Sequence, residues 1–295
     1  MPHVEGVEHR YVETDGLRFH VAEAGDPEAE PIVLVHGWPQ NWFEWREIIG
    51  PLAESRRVVC PDLRGLGWSD APPAGYDKEQ LADDLLAIMD ELEIERAGLV
   101  GHDWGGWTGF LTCLKAPERF EAYLAMAIPP PFAKRNLRST LDTWRLSYQL
   151  PLASPWGHHV STALAGIRRP GLRDLTQIDA WDDEAHEVFL GQFAEPRIAR
   201  ATIGYYRTFL LRELPKLAGG RYDGVRLEVR TKLLFPENEK VMSPAMLEIP
   251  EGAARDFEVE IVPGAGHFIV DEMPELVLDR IHTHFGIEAP VASAT

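Results

Sequence analysis

The segment Leu99-Val100-Gly101-His102-Asp103-Trp104-Gly105-Gly106 sets Gly, any residue, Asp, any residue, Gly between an apolar strand-like run and a helix-like stretch. In that context a tight turn lifts one side chain above a sheet and leaves it at a helix N-terminus. There the exposed N–H groups and the helix dipole favour negative charge. The turn is so tight that only small residues fit two positions either side of the lifted side chain. Aspartate ionises near pH 3.9, so such a nucleophile needs no base to attack. A serine in this turn attacks an acyl carbon. An aspartate suits an alkyl carbon bearing a leaving group and yields an alkyl ester on the protein. Asp103 as a helix cap would account for the carboxylate, but not for Gly101, Gly105 and Gly106 around it.

Two further motifs supply partners. His36-Gly37-Trp38-Pro39 closes the apolar run Pro31 to Val35. It can give half of an oxyanion hole, the backbone N–H of Trp38 joining that of Trp104 at the carbonyl oxygen of Asp103 once that carbonyl is attacked. Gly264-Ala265-Gly266-His267-Phe268 follows the run Phe257 to Val262. His267 there fits the last member of a triad in the order nucleophile, acid, histidine. The acid should fall in Phe235-Pro236-Glu237-Asn238-Glu239-Lys240, with Glu239 preferred to Glu237. It would orient His267 and stabilise the imidazolium. His158, His159 and His186 have no ligand partners at metal-site spacing and read as solvated or packed, so no metal and no cofactor are expected.

These motifs need elements to hold them. Leu17 to Ala24 alternates like a half-buried strand, and Pro31 to Val35 is the β-branched run of a strand buried on both faces. Trp42 to Leu52 reads as a helix, Arg57 to Cys60 as a strand, Lys78 to Leu92 as a helix with an apolar stripe. Ala97 to Val100, Trp104 to Leu114 and Glu121 to Ile128 continue as strand, helix, strand. Such alternation argues for a parallel sheet covered on both faces. At Pro129-Pro130-Pro131 the pattern breaks. From there the chain is helical to about Asp223, interrupted at Pro151, Pro155, Pro170-Gly171 and Pro196. The sheet pattern returns at Val229 to Phe235 and Phe257 to Val262, and a last helix spans Pro274 to Phe285 before a frayed tail, Ala289 to Thr295. The division expected is a core of residues 1–128 and 223–295 with a helical insertion, 129–222.

Composition narrows the partners. The 295 residues are 45% hydrophobic and 26% charged, an ordinary globular balance. A formal net charge of −18 repels phosphate backbones and anionic lipid heads. A neutral small molecule is the expected partner, with neither nucleic acid nor membrane, and a homodimer is left open. The two cysteines, Cys60 and Cys113, make neither a disulfide framework nor a zinc site. The polar, acidic N-terminus is no secretory signal, and the expected location is the cytoplasm.

In order and separation the three motifs resemble the α/β-hydrolase fold. His36-Gly37-Trp38-Pro39 followed by Trp42 and Trp45-Arg46, then Gly101-His102-Asp103-Trp104-Gly105-Gly106, resembles more narrowly the soluble epoxide hydrolase family. The resemblance implies a mostly parallel eight-stranded sheet, helices on both faces and an inserted helical cap. It also implies two cap tyrosines that hold and protonate an epoxide oxygen. Tyr205-Tyr206-Arg207 matches the family's aromatic-Tyr-Arg pattern, making Tyr206 one donor. Tyr148 is the candidate for the second, and counting back from Pro151 offers Trp144 instead. Trp144, Tyr205 and Phe268 would line the substrate pocket. The acid loop departs from the family, with Pro236 where Gly is usual and Glu239 where Asp is usual.

Haloalkane dehalogenases share the fold, the Asp nucleophile and the following Trp, so the leaving group must decide. A halide is stable as an anion and needs only N–H donors, whereas an opened epoxide is a strongly basic alkoxide and needs an acid beside it. Tyrosine, ionising near pH 10, can serve while staying neutral at pH 7. Trp38 also stands where many dehalogenases place a halide-holding Asn. Pro39-Gln40-Asn41 resembles the fluoroacetate dehalogenases, but those follow the nucleophile with Arg, and here it is Trp104. Sequence thus favours an epoxide hydrolase, with a haloalkane dehalogenase and a non-catalytic small-molecule receptor on the same fold as the alternatives.

Overall fold

The computed structural model describes residues 1–166 and 181–288. The break expected at Pro170-Gly171 and the tail from Ala289 lie outside the described residues. Eight strands form one sheet: β1 (Glu8–Thr14), β2 (Leu17–Ala24), β3 (Pro31–Val35), β4 (Arg57–Pro61), β5 (Ala97–His102), β6 (Phe120–Met126), β7 (Thr231–Pro236) and β8 (Phe257–Val262). Their order is β1-β2-β4-β3-β5-β6-β7-β8. The hairpin β1–β2 is antiparallel, as is β2 against β4, and every later pairing is parallel. In the middle of the sheet β3 and β5 are buried almost throughout, which is why they read as unbroken apolar runs rather than alternating ones.

Three core helices follow in sequence: α1 (Arg46–Ala53), α2 (Lys78–Glu91) and α3 (Asp103–Lys115). The helix expected from Trp42 opens as a 3₁₀ turn, Trp42–Trp45, in which Asn41 caps the Phe43 N–H, and α1 begins only at Arg46. Asp77 caps α2 through the N–H of Gln80. Between β6 and β7 the described residues form helices and no strand. The longer ones are α4 (Gly157–Gly166), α5 (Asp183–Gly191) and α6 (Pro196–Thr208), the last opening with Pro196 in its first turn. A final helix, α7 (Pro274–Phe285), returns to the core.

The helical insertion is tied to the core by buried polar contacts. Lys78, fully buried at the start of α2, donates to the Tyr205 carbonyl (2.9 Å) and pairs with Glu213 (3.1 Å). Its ammonium lies 4.4 Å from the centroid of the Trp104 ring. Gln192 donates to the Pro39 carbonyl at 2.7 Å and accepts the Gly67 N–H at 2.8 Å. These contacts hold the cap over the carboxyl ends of β3, β5, β7 and β8, the edge where ligands bind in sheets of this kind. Among the described residues no helix is long and apolar enough to cross a membrane.

Candidate active site

The loops leaving those four strands carry the site. Asp103 follows β5 directly and has φ +47°, a left-handed conformation that costs a non-glycine residue about 1–3 kcal/mol. The surroundings enforce it. A Cβ on Gly37 would stand 2.5 Å from the Cβ of Asp103, and one on Gly105 would run into the Val35 carbonyl. The two motif glycines are therefore contact requirements between the β3 loop and the elbow. The backbone N–H of Trp38 donates to Asp103 Oδ2 at 3.0 Å. Trp104, the second residue of α3, has a backbone N–H in the first turn, where no carbonyl of the helix can accept it.

His267 lies on the loop after β8, its ring 5.2 Å from that of His102. His267 Nδ1 lies 2.6 Å from Glu239 Oε2, and the other oxygen of Glu239 accepts the N–H groups of Val241 (2.6 Å) and Met242 (3.3 Å). Glu237, the alternative acid, turns away and accepts the Gly264 N–H instead. Burial opposes a charge on Glu239, but the imidazole and the two N–H donors outweigh it and hold the carboxyl below the usual range. Burial likewise opposes a charge on His267, yet the carboxylates of Glu239 and Asp103 raise its pKa above 6.5.

Over the carboxylate hang two phenols. Tyr206 is fully buried, its ring T-shaped against Trp38 (5.2 Å), Trp104 (6.1 Å) and Tyr148 (6.1 Å). The two phenols face one another across that gap, and each shifts the other's ionisation along with burial. Tyr148 is 39% exposed as a residue, and its hydroxyl accepts from the amide of the fully buried Gln149 at 3.2 Å. Burial, reinforced by the charge of Asp103, pushes both phenols above their ordinary range, so they are neutral donors at pH 7. A largely apolar cavity of about 210 Å³ opens beside Trp104, walled by Trp107, Ile128, Leu146, Phe209 and Met242.

Two pocket residues expected from sequence lie elsewhere. Trp144 is 69% exposed, because the 3₁₀ turn Asp142–Tyr148 that brings Tyr148 inward leaves it pointing out, its ring 5.9 Å from the Arg145 guanidinium. Tyr205 is buried on another face of α6, where its hydroxyl donates to the Arg64 carbonyl at 2.8 Å and its ring meets Tyr76. Consecutive helical residues project about 100° apart, so Tyr205 and Tyr206 cannot share one face. Phe268 is buried, its ring 5.1 Å from His267 and 4.6 Å from Trp181.

Sequence reasoning passed over Glu44 and His102, both fully buried next to the elbow. Glu44 is the one acid in the aromatic run Trp42-Phe43-Glu44-Trp45, and a lone carboxylate among apolar neighbours is the signal that could have marked it. Gln149 was also passed over.

Fold and site together define a hydrolase. The alpha/beta hydrolase fold family model matches residues 30–274, and the chain belongs to that family. Within it the chain stands among epoxide hydrolases. It is 35% identical over 318 residues to epoxide hydrolase 3 of Siraitia grosvenorii, covering 95% of this chain and 98% of that one. It is 28% identical over 288 residues to the soluble epoxide hydrolase of Corynebacterium sp. (strain C12), covering 92% and 95%. Among solved structures, the epoxide hydrolase CorEH without ligand matches with a TM-score of 0.79 at 25% identity, over 95% of this chain and 99% of that one.

Proposed function

We propose that this chain opens a neutral epoxide to a vicinal diol through an ester on Asp103. The observation that carries the reading is the pair of neutral phenols, Tyr148 and Tyr206, over a carboxylate in a nucleophile turn. A halide leaving group has no use for them; an alkoxide requires them. Asp103 Oδ2 already accepts the Trp38 N–H, so Oδ1 is the attacking oxygen. Oδ1 bonds to an epoxide carbon, the ring C–O bond breaks, and the alkoxide takes a proton from Tyr206, assisted by Tyr148.

His267, oriented by Glu239, then takes a proton from water. The hydroxide adds to Cγ of Asp103, and negative charge gathers on Oδ2 between the N–H groups of Trp38 and Trp104. The intermediate collapses with Oδ1 leaving in the diol, which takes the proton from the imidazolium; the re-formed Asp103 carboxyl gives up its hydroxyl proton and the tyrosinate regains one, both by way of solvent. The described helices between β6 and β7 act as the lid that excludes water from the first step. The aromatic rings of Trp38, Trp104 and Tyr206 around the carboxylate and the −18 surface suit an uncharged substrate.

Styrene oxide and 1-bromobutane offered in parallel, with diol and bromide both measured, test this directly. Diol without bromide is expected. Bromide release would make the chain a dehalogenase, and binding of either compound without turnover would make it a receptor.

A further inference from the structure

The loop that carries one oxyanion donor is held from two sides. From the core, the His36 ring donates through Nδ1 to the Gly37 carbonyl at 2.9 Å, and the Gln40 amide donates to Asp271 at 2.7 Å. Between those anchors stand Trp38 and Pro39, and both reach the cap. The indole Nε1–H of Trp38 donates to Thr202 Oγ1 at 3.3 Å, and its ring meets Phe193 (5.8 Å) and Tyr206 (5.2 Å). The Pro39 carbonyl accepts from Gln192 Nε2 at 2.7 Å. Gln192 is itself fixed: Nε2 also donates to the Phe189 carbonyl in α5 (2.7 Å), and Oε1 accepts the Gly67 N–H (2.8 Å).

Thr202 is fully buried and stands four residues before Tyr206, so the two share one face of α6. Its hydroxyl accepts from an indole that gives no proton to the substrate. That bond fixes the rotation of the Trp38 side chain, while Gln192 fixes the carbonyl of the residue after it. A residue clamped at both places has little freedom to turn its own backbone N–H, and that N–H meets Asp103 Oδ2 at 3.0 Å.

The two chemical steps depend on this N–H differently. In ring opening the attacking atom is Oδ1, and charge leaves the carboxylate. In ester hydrolysis charge gathers on Oδ2, where the Trp38 and Trp104 N–H groups receive it. A displaced Trp38 N–H therefore weakens the second step and spares the first. We propose that Thr202 and Gln192 are positioning residues for ester hydrolysis, the cap completing the oxyanion hole by holding Trp38 and Pro39 in place. One face of α6 then serves both steps, Tyr206 the first and Thr202 the second. The step assigned to Thr202 rests on the hydrolytic reading above; the attachment of the oxyanion loop to the cap does not.

Three variants test it. Thr202→Val keeps the shape but cannot accept the indole hydrogen, Thr202→Ser keeps the hydroxyl, and Gln192→Leu cuts the Pro39 bond and serves if Thr202→Val does not fold. In rapid mixing with enzyme in excess over styrene oxide, Thr202→Val should open the epoxide within about twofold of the unmodified rate and hydrolyse the ester about tenfold more slowly, so that ester accumulates. Thr202→Ser should restore the ratio of the two rates, and Gln192→Leu should shift it in the same sense as Thr202→Val. Hydrogen exchange on the substrate-free protein reads the same contact without chemistry. Protection of the Trp38 backbone N–H should fall about tenfold in Thr202→Val, with that of Leu99 in β5 unchanged. A residue that only holds the cap together would lower the urea midpoint and leave both the rate ratio and the Trp38 protection as they were. Equal slowing of both steps, an unmoved rate ratio or unchanged Trp38 protection would each overturn the proposal. If even the unmodified chain forms no ester, the hydrolytic reading fails, and Trp38 exchange alone decides whether the cap holds the loop.

Discussion

At the scale of single residues, the proposed chemistry divides between groups that are easily confused in sequence. Tyr205 and Tyr206 are adjacent, but only Tyr206 overhangs Asp103, while Tyr205 bonds the Arg64 carbonyl. Tyr206→Phe should slow ring opening about 10²-fold, read as single-turnover loss of epoxide. Tyr205→Phe should leave that rate alone and cost about 1 kcal/mol in urea unfolding, from the carbonyl left unpaired. Glu239→Gln removes the main charge that raises the His267 pKa against burial. The acid limb of kcat should therefore move to lower pH, with the plateau falling 10²-fold or more; an unmoved limb would separate His267 from Glu239. Asp103, His267 and Trp38 were legible because tight turns leave glycines beside them, and glycine spacing survives in a sequence. Trp144 was misplaced because counting from Pro151 cannot give the rotation of a 3₁₀ turn. Glu44 and His102 were missed because their meaning lies in a contact between residues far apart in the chain.

At the scale of elements, buried strands announce themselves and edges do not. β3 and β5 read as strands because both their faces are covered, whereas β1 went unread, since among Glu8–Thr14 only Val12 is buried. The hairpin that adds it turns at Asp15-Gly16, both with positive φ, and that Asp-Gly pair was the available signal. At the other end α7 is fastened to β6 through His284, whose Nε2–H donates to the Tyr123 carbonyl at 3.0 Å while Nδ1 faces the Arg230 guanidinium at 3.3 Å. Burial, then the Arg230 charge, lowers the His284 pKa to about 4 from 6.5. The folded chain thus holds this proton less tightly than the unfolded one. Stability from neutral His284 is full above pH 6.5 and is lost as pH falls through about 4, on the order of 2 kcal/mol. Urea midpoints measured from pH 7 to 4 should fall, and His284→Gln should flatten that slope; an equal slope in both proteins would refute the assignment.

At the scale of the whole molecule, the cap and the core meet across the reacting atoms, so what joins them also shapes the site. Lys78 is the clearest tie, with its ammonium between Glu213, the Tyr205 carbonyl and the Trp104 ring. Burial pulls its pKa below that of an ordinary lysine, and Glu213 offsets part of that. Lys78→Met strands a mostly buried carboxylate and should cost about 3 kcal/mol, seen as a lower urea midpoint; Lys78→Met with Glu213→Gln should recover part of it. An alternating core with a helical insertion was legible from periodicity alone. How the insertion sits on the core was not, because its anchors are single polar side chains in otherwise ordinary helices.

The most direct test of the central claim follows one oxygen atom. With enzyme in excess over styrene oxide in heavy-oxygen water, a single turnover is followed by digestion and mass measurement of the peptide carrying Asp103. Heavy oxygen in the Asp103 carboxylate, with the first diol released unlabelled, is the predicted result. Label in the diol and none in the peptide would mean that water attacks the epoxide directly, contradicting an ester on Asp103.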